Sequence, residues 1–235
     1  MAKPEKTEPE KTEPEKTAPE KAEAGNTEAG QTDRIPWKSG QLWSRLKQQS
    51  AHGLQTGALQ PIATNSKEIE DGGVRFLVRI LANISRKEKA KAQQGKTAPA
   101  NPFLPYEQDL YVCDISDTHL CLLNKFNVVD HHFLMVTRRF EPQENWLNYA
   151  DFEATVRCLV EVDGLAFFNG GTIAGASQAH KHLQIAPLDA ENIPVDGLIQ
   201  AASQVISQPS QPPAKPASSK IMAAAQFPFH HAILH

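Results

Sequence analysis

His180, His182 and Gln184, alternating with Lys181 and Leu183 in the run HKHLQ, are the residues of this chain best suited to chemistry. Successive side chains of a β-strand point to opposite faces, so this spacing predicts two imidazoles and an amide on one face. A neutral imidazole attacks phosphorus well when one ring nitrogen holds its proton in a hydrogen bond and the other aims its lone pair at the substrate. A second histidine would orient the first or donate to a non-bridging oxygen, and a glutamine would hold that oxygen. Just upstream, Asn169, Gly170, Gly171 and Gly175 of NGGTIAGASQA predict a loop whose backbone can approach a phosphate closely, because glycine has no side chain in the way. Together these features suit covalent nucleotidyl transfer.

Plainer readings stand beside this one. HKHLQ could be an incidental surface strand or a metal-binding pair, although zinc would need further ligands that no obvious spacing supplies unless His230, His231 or His235 join in space. The Gly-Gly pair could simply make a tight turn. His131 and His132 read first as a turn residue and a satisfied side chain, and second as site residues. Phe103 and Tyr106 either fill a core or stack on a base.

The elements that must position these residues follow from hydrophobic periodicity. Leu165 to Phe168, the glycine-rich connection, and Leu183, Ile185 and Leu188 read as two neighbouring strands joined by a loop. Further strand-like runs at 74–81, 109–115, 118–123 and 132–137 predict a mostly antiparallel sheet in an α+β fold. Trp37 to Gln49 reads as a helix with Leu42, Trp43 and Leu46 on its buried stripe. Residues 143–161 read as a second helix packed on the sheet through Trp146, Leu147, Phe152, Val156, Leu159 and Val160, stopped by Asp163 and Gly164. Residues 195–206 suggest a short helix, SRKEKAKAQQGKTAPA a flexible insertion, SQPSQPPAKPASSK a linker and FPFHHAILH a final strand.

Composition narrows the setting. Residues 1–30 repeat PEKTE-like pentads that cannot bury enough apolar surface to offset lost conformational entropy, so residues 1–32 are expected to be a disordered tail. Five Lys and eight Glu there carry the whole formal charge of −3, leaving nineteen basic and nineteen acidic groups in residues 31–235. A formally neutral remainder argues against non-specific nucleic-acid binding. No apolar run approaches the ~18 residues of a membrane span, and no secretory signal is present, so a soluble protein without a membrane partner is expected. Cys113, Cys121 and Cys158 read as small buried groups in a reducing cytoplasm.

The runs NGGTIAGASQAHKHLQ and LLNKFNVVDHHFLMVTRRFEPQ, with GALQPI, DGGVRFLVRI and NPFLPYEQDLYV, resemble the diadenosine tetraphosphate phosphorylases, or ATP adenylyltransferases, of the histidine-triad superfamily. The likeness extends over roughly residues 37–235. It implies a histidine-triad-like sheet with packed helices over residues 33–235, His182 as nucleophile, His180 as the first histidine, and Gln184 where hydrolytic branches have a third. By implication His182 attacks an α-phosphorus of diadenosine tetraphosphate, ATP departs, and inorganic phosphate takes the AMP from the histidine as ADP. Asn169 resembles a family phosphate or ribose contact, and Asn124 and Lys125 also match the family pattern. The phosphate charge needs preorganised donors, for which Ser177, Gln178, the 170–177 loop and Lys67 are the candidates. The expected partners are thus a dinucleoside polyphosphate and phosphate, with no tightly bound cofactor and a divalent cation such as magnesium arriving with the substrate. Members of this family continue past the final apolar run, so the domain is expected to be incomplete at its C-terminus. Rival readings are a nucleotide-binding fragment without turnover, a dinucleotide hydrolase, and a hexose-1-phosphate nucleotidyltransferase, against which Lys181 weighs because that family has proline there.

Overall fold

The chain alternates short apolar runs with turn-forming residues, and the runs pair in space. The computed structural model describes residues 34–72, 74–81, 101–188, 193, 196–197, 199–200, 221–222 and 231–234. The expected tail, insertion and Pro/Ser linker lie outside the described residues, as does most of FPFHHAILH; of the suggested helix at 195–206, residues 196–197 and 199–200 are helical.

Among the described residues, five strands form the main sheet: β3 (Tyr111–Asp114), β4 (His119–Leu123), β5 (Phe133–Thr137), β6 (Gly164–Phe167) and β7 (His182–Pro187). Their order is β3-β4-β5-β7-β6 and every neighbouring pair is antiparallel. The expected α+β fold is therefore present. β1 (Thr64–Asp71) and β2 (Val74–Leu81) make a separate hairpin, and Ile221–Met222 pairs with Ile233–Leu234. β1 has the sequence TNSKEIED, too polar to read as a strand, and it forms because the apolar β2 pairs with it along its whole length.

The two faces of the main sheet are covered differently. One carries Phe133, Met135, Leu183 and Ile185 into a core with Leu42 and Leu46 of α1 (Leu42–Thr56) and Ala154 and Cys158 of α2 (Tyr149–Leu159). The other carries Tyr111, Leu120, Leu122, Leu134 and Val136, with Phe103 laid over them. Registering Val136 against His182 and Leu134 against Gln184 places the chemistry-bearing residues on this second face.

Both helices differ from their predicted bounds. Predicted over 37–49, α1 starts later and runs on to Thr56, ending where Gly57 adopts a left-handed φ of 77°. Its buried stripe is Leu42, Leu46, Ser50 and Gly53, while Trp43 is exposed. Predicted from 143, α2 begins at Tyr149 because Asn148 caps it, its side chain accepting from the N–H groups of Ala150 and Asp151 while Asp151 accepts from Asn148 N–H. The larger correction concerns the face: Trp146, Phe152, Val156, Leu159 and Val160 are exposed, and Asp151, Ala154 and Cys158 are buried. The reason is polar. Asp151 Oδ2 lies 2.6 Å from Nζ of Lys181, the residue just before β7, and Oδ1 lies 3.0 Å from His119 Nε2 on β4, and satisfying this buried group turns the helix.

The three cysteines are buried free thiols, and burial raises the pKa of Cys121 and Cys158. Among the described residues no helix is long and apolar enough to cross a membrane.

Candidate active site

β7 is flanked by β5 and β6, which fixes its register on both sides. His182 opens the strand and His180 precedes it in an isolated bridge to Pro142. Lys181 and Leu183 point to the opposite face, as the alternation requires. Lys181 is 0% exposed and held by Asp151, Trp146 O and Glu141.

The two histidines divide their work in a way that spacing alone leaves open. His182 Nδ1 lies 2.8 Å from the backbone oxygen of His180, an acceptor only, so Nδ1 donates and Nε2 keeps its lone pair. Nε2 makes no hydrogen bond to a described residue. Burial lowers the pKa of His182, favouring the neutral ring. Of the two roles expected for the second imidazole, orienting the first or donating to a non-bridging oxygen, the His180 ring does not perform the first. Its Nε2 donates to Thr137 O at 2.8 Å and its Nδ1 accepts from Asn101 Nδ2 at 2.6 Å, so both ring nitrogens are engaged. Burial lowers the pKa of His180 as well. It is the main chain at residue 180 that fixes the tautomer of residue 182.

Phe103 closes one side of the pair, its ring centroid 5.3 Å from that of His182 and 5.7 Å from that of His180. It packs on the imidazoles, and Tyr106 stacks on Tyr111, so each ring already has an aromatic neighbour. Half-buried Gln184 sits beyond His182, opposite Phe167 of β6 and beside His132. Burial pushes the His132 pKa down to about 4 against a weaker upward pull from the Gln184 amide. Asn124 joins this end through a 3.3 Å contact with His132 Nδ1. His131 serves the turn with a φ of 59°, bonded to Ser50 and edge-on to Trp43.

The loop after β6 brings Asn169, Gly170 and Gly171 beside the strand. Gly171 and Gly175 have φ of 91° and 92°, a conformation that favours glycine. Their N–H groups are taken up within the turn, bonding Asn169 O and Thr172 O, so the loop needs these glycines for its own path. Ser177 is exposed and Gln178 half-buried on the return toward His180. Of the two lysine candidates, Lys67 is exposed on the β1–β2 hairpin, and Lys125 pairs with Glu107 at 2.7 Å.

Reading by spacing missed Asn101, Thr137 and Gln143. Gln143 is 1% exposed and bonds His182 N, His182 O and Asn169 O. The FEPQ run around it matched the resemblance without showing what the amide touches. No group of three or more His, Cys, Asp or Glu among the described residues could hold a metal ion.

A model of the Ap4A phosphorylase N-terminal domain matches residues 32–201. Diadenosine 5',5'''-P1,P4-tetraphosphate phosphorylase 2 of Saccharomyces cerevisiae is 28% identical over 161 residues, covering 62% of this chain and 49% of that protein. Protein APA1 of the same yeast is 26% identical over 139 residues, covering 54% and 42%. The chain thus spans about half the length of the curated relatives it matches. The crystal structure of yeast Ap4A phosphorylase Apa2 in complex with AMP superposes with a TM-score of 0.57 at 26% identity, covering 68% of this chain and 55% of that one. The Apa2 complex with Ap4A has a TM-score of 0.63 at 22% identity, covering 82% and 64%, a likeness of fold.

Proposed function

This chain belongs to the Ap4A phosphorylase N-terminal domain family, and on that premise we propose that it transfers AMP from diadenosine tetraphosphate (Ap4A) to inorganic phosphate through His182. The observation that carries the proposal is a neutral, buried His182 whose Nδ1–H is held by a backbone carbonyl and whose Nε2 bonds no described residue. That nitrogen attacks an α-phosphorus, forming a P–N bond as the P–O bond to ATP breaks. A phosphate oxygen then attacks the same phosphorus, the P–N bond breaks, and ADP leaves with the imidazole restored to neutrality.

Other residues take roles by position. Gln184 would hold a non-bridging oxygen, and the Asn169–Gly170–Gly171 loop with Ser177 and Gln178 would meet the phosphate chain. Asn124, in contact with His132, would meet the nucleoside rather than the reacting phosphorus. Lys67 and Lys125 would contribute only by moving toward bound substrate, Lys125 by leaving Glu107. Any divalent cation would arrive on the polyphosphate.

The test is intact-protein mass spectrometry after mixing with Ap4A, followed by product analysis with and without phosphate. The wild type should gain one AMP and lose it to phosphate as ADP, and His182→Ala should gain none while keeping its circular dichroism. Hydrolysis to AMP plus ATP without an adduct, or binding of the dinucleotide without products, would overturn the proposal. The second outcome is the one expected of a nucleotide-binding fragment.

A further inference from the structure

We propose that Gln143 is a positioning residue for His182, its side-chain amide standing in for the strand that would otherwise continue alongside the nucleophile. This rests on the adenylyl-transfer reading above. β6 pairs with β7 from Gly164 opposite Pro187 as far as Phe167 opposite Gln184, and the ladder ends there. The next position on that edge is His182. Lys181 O accepts from Thr137 N at the end of β5, so alternation turns the N–H and C=O of His182 to the other edge, where β6 has already left. Two buried peptide groups at the nucleophile would then lack partners, at a cost of about 1–3 kcal/mol each.

Gln143 supplies both partners. Its Oε1 accepts from His182 N at 2.8 Å and its Nε2 donates to His182 O at 3.1 Å, the pattern a facing strand residue would make. The same Nε2 donates to Asn169 O at 2.8 Å, at the point where the chain enters the glycine loop. One amide therefore releases β6 from the sheet so that the loop can form, and holds the loop's first residue to the nucleophile's own backbone. The main chain of Gln143 is anchored too, its N–H donating to Ala179 O at 2.9 Å. A primary amide is required, because the site asks for one acceptor and two donor contacts. A carboxylate would face the oxygens of His182 and Asn169 with no proton to offer.

The experiment compares wild type, Gln143→Ala and Gln143→Glu in single-turnover formation of the AMP adduct on Ap4A, with amide hydrogen exchange on the same proteins. Misplacing a reacting group by about 1 Å costs on the order of 10²-fold in rate, and that is the fall expected for Gln143→Ala, corrected for the folded fraction. Gln143→Glu should be similarly slow at neutral pH. Its rate relative to wild type should rise as pH falls, since a protonated carboxyl regains one donor while His180 and His182 titrate in both proteins. Exchange at His182 and residues 169–171 should quicken in Gln143→Ala, with β4 unchanged. Adduct formation at the wild-type rate in both variants, or a flat Glu-to-wild-type ratio across pH, would overturn the proposal. A wild type that takes no label would overturn the adenylyl-transfer reading instead, and unchanged exchange at His182 would still refute the clip.

Discussion

At the scale of single residues, the site depends on where protons sit. As the proposed nucleophile, His182 would act only while Nδ1 holds the proton and Nε2 does not, and a backbone acceptor enforces this more firmly than a side chain that can itself titrate. Burial lowers its pKa from 6.5, so the neutral form persists below the ordinary imidazole range. Adduct formation should therefore be flat near neutrality, with an acid limb whose midpoint lies below 6.5. Single-turnover rates between pH 4.5 and 8 (roughly the range bracketing imidazole titration) would check this, and a midpoint above 6.5 would contradict the buried environment described here. The type and spacing of His180, His182 and Gln184 were legible in the sequence. The partners Asn101, Thr137 and Gln143 were not, because they lie 79, 43 and 39 residues away and reach the histidines only through tertiary packing.

At the scale of elements, Asp151 joins three of them. It completes the N-terminal capping box of α2, accepts from Lys181 at the entry to β7 and faces His119 on β4. Lys181 lies between the two histidines, so this pair also holds the site strand against the helix. Removing one partner leaves the other charge buried without its nearest counter-charge, which costs about 3–5 kcal/mol. Denaturant melts should show a loss of that size for Lys181→Met or Asp151→Leu. The double variant should be less destabilised than the sum of the singles, because it leaves no orphan charge. Additive losses would mean that the two groups do not act as a pair. The apolar period of residues 146–160 pointed to the wrong face for this same reason. A periodicity scan weights Phe152 and Val156 above an aspartate, whereas the fold must first satisfy the aspartate.

At the scale of the whole molecule, four buried imidazoles among the described residues, His119, His132, His180 and His182, all have pKa values lowered by burial. Below pH 6.5 the unfolded chain takes up protons that the folded chain refuses, so stability is full above that value and declines as pH falls. For His132, lowered to about 4, the loss between those limits is on the order of 3 kcal/mol. Thermal melts should thus fall progressively between pH 6.5 and 4, and His132→Gln should flatten part of that slope. An unchanged slope in the variant would remove His132 from the account.

Local rules sufficed for much of this protein. Alternation placed the two histidines and the glutamine on one face, and turn-forming residues separated the strands of an antiparallel sheet. Those features depend on neighbours in the chain, so the order of residues determines them. Tertiary structure alone decided which face of α2 is buried, that TNSKEIED becomes a strand, and which groups fix the histidine tautomers. Each of those outcomes requires a polar group to find its hydrogen-bonding partner, or a strand its mate, across folded space. A buried donor and its acceptor can lie dozens of residues apart, and only the folded chain brings them within bonding distance.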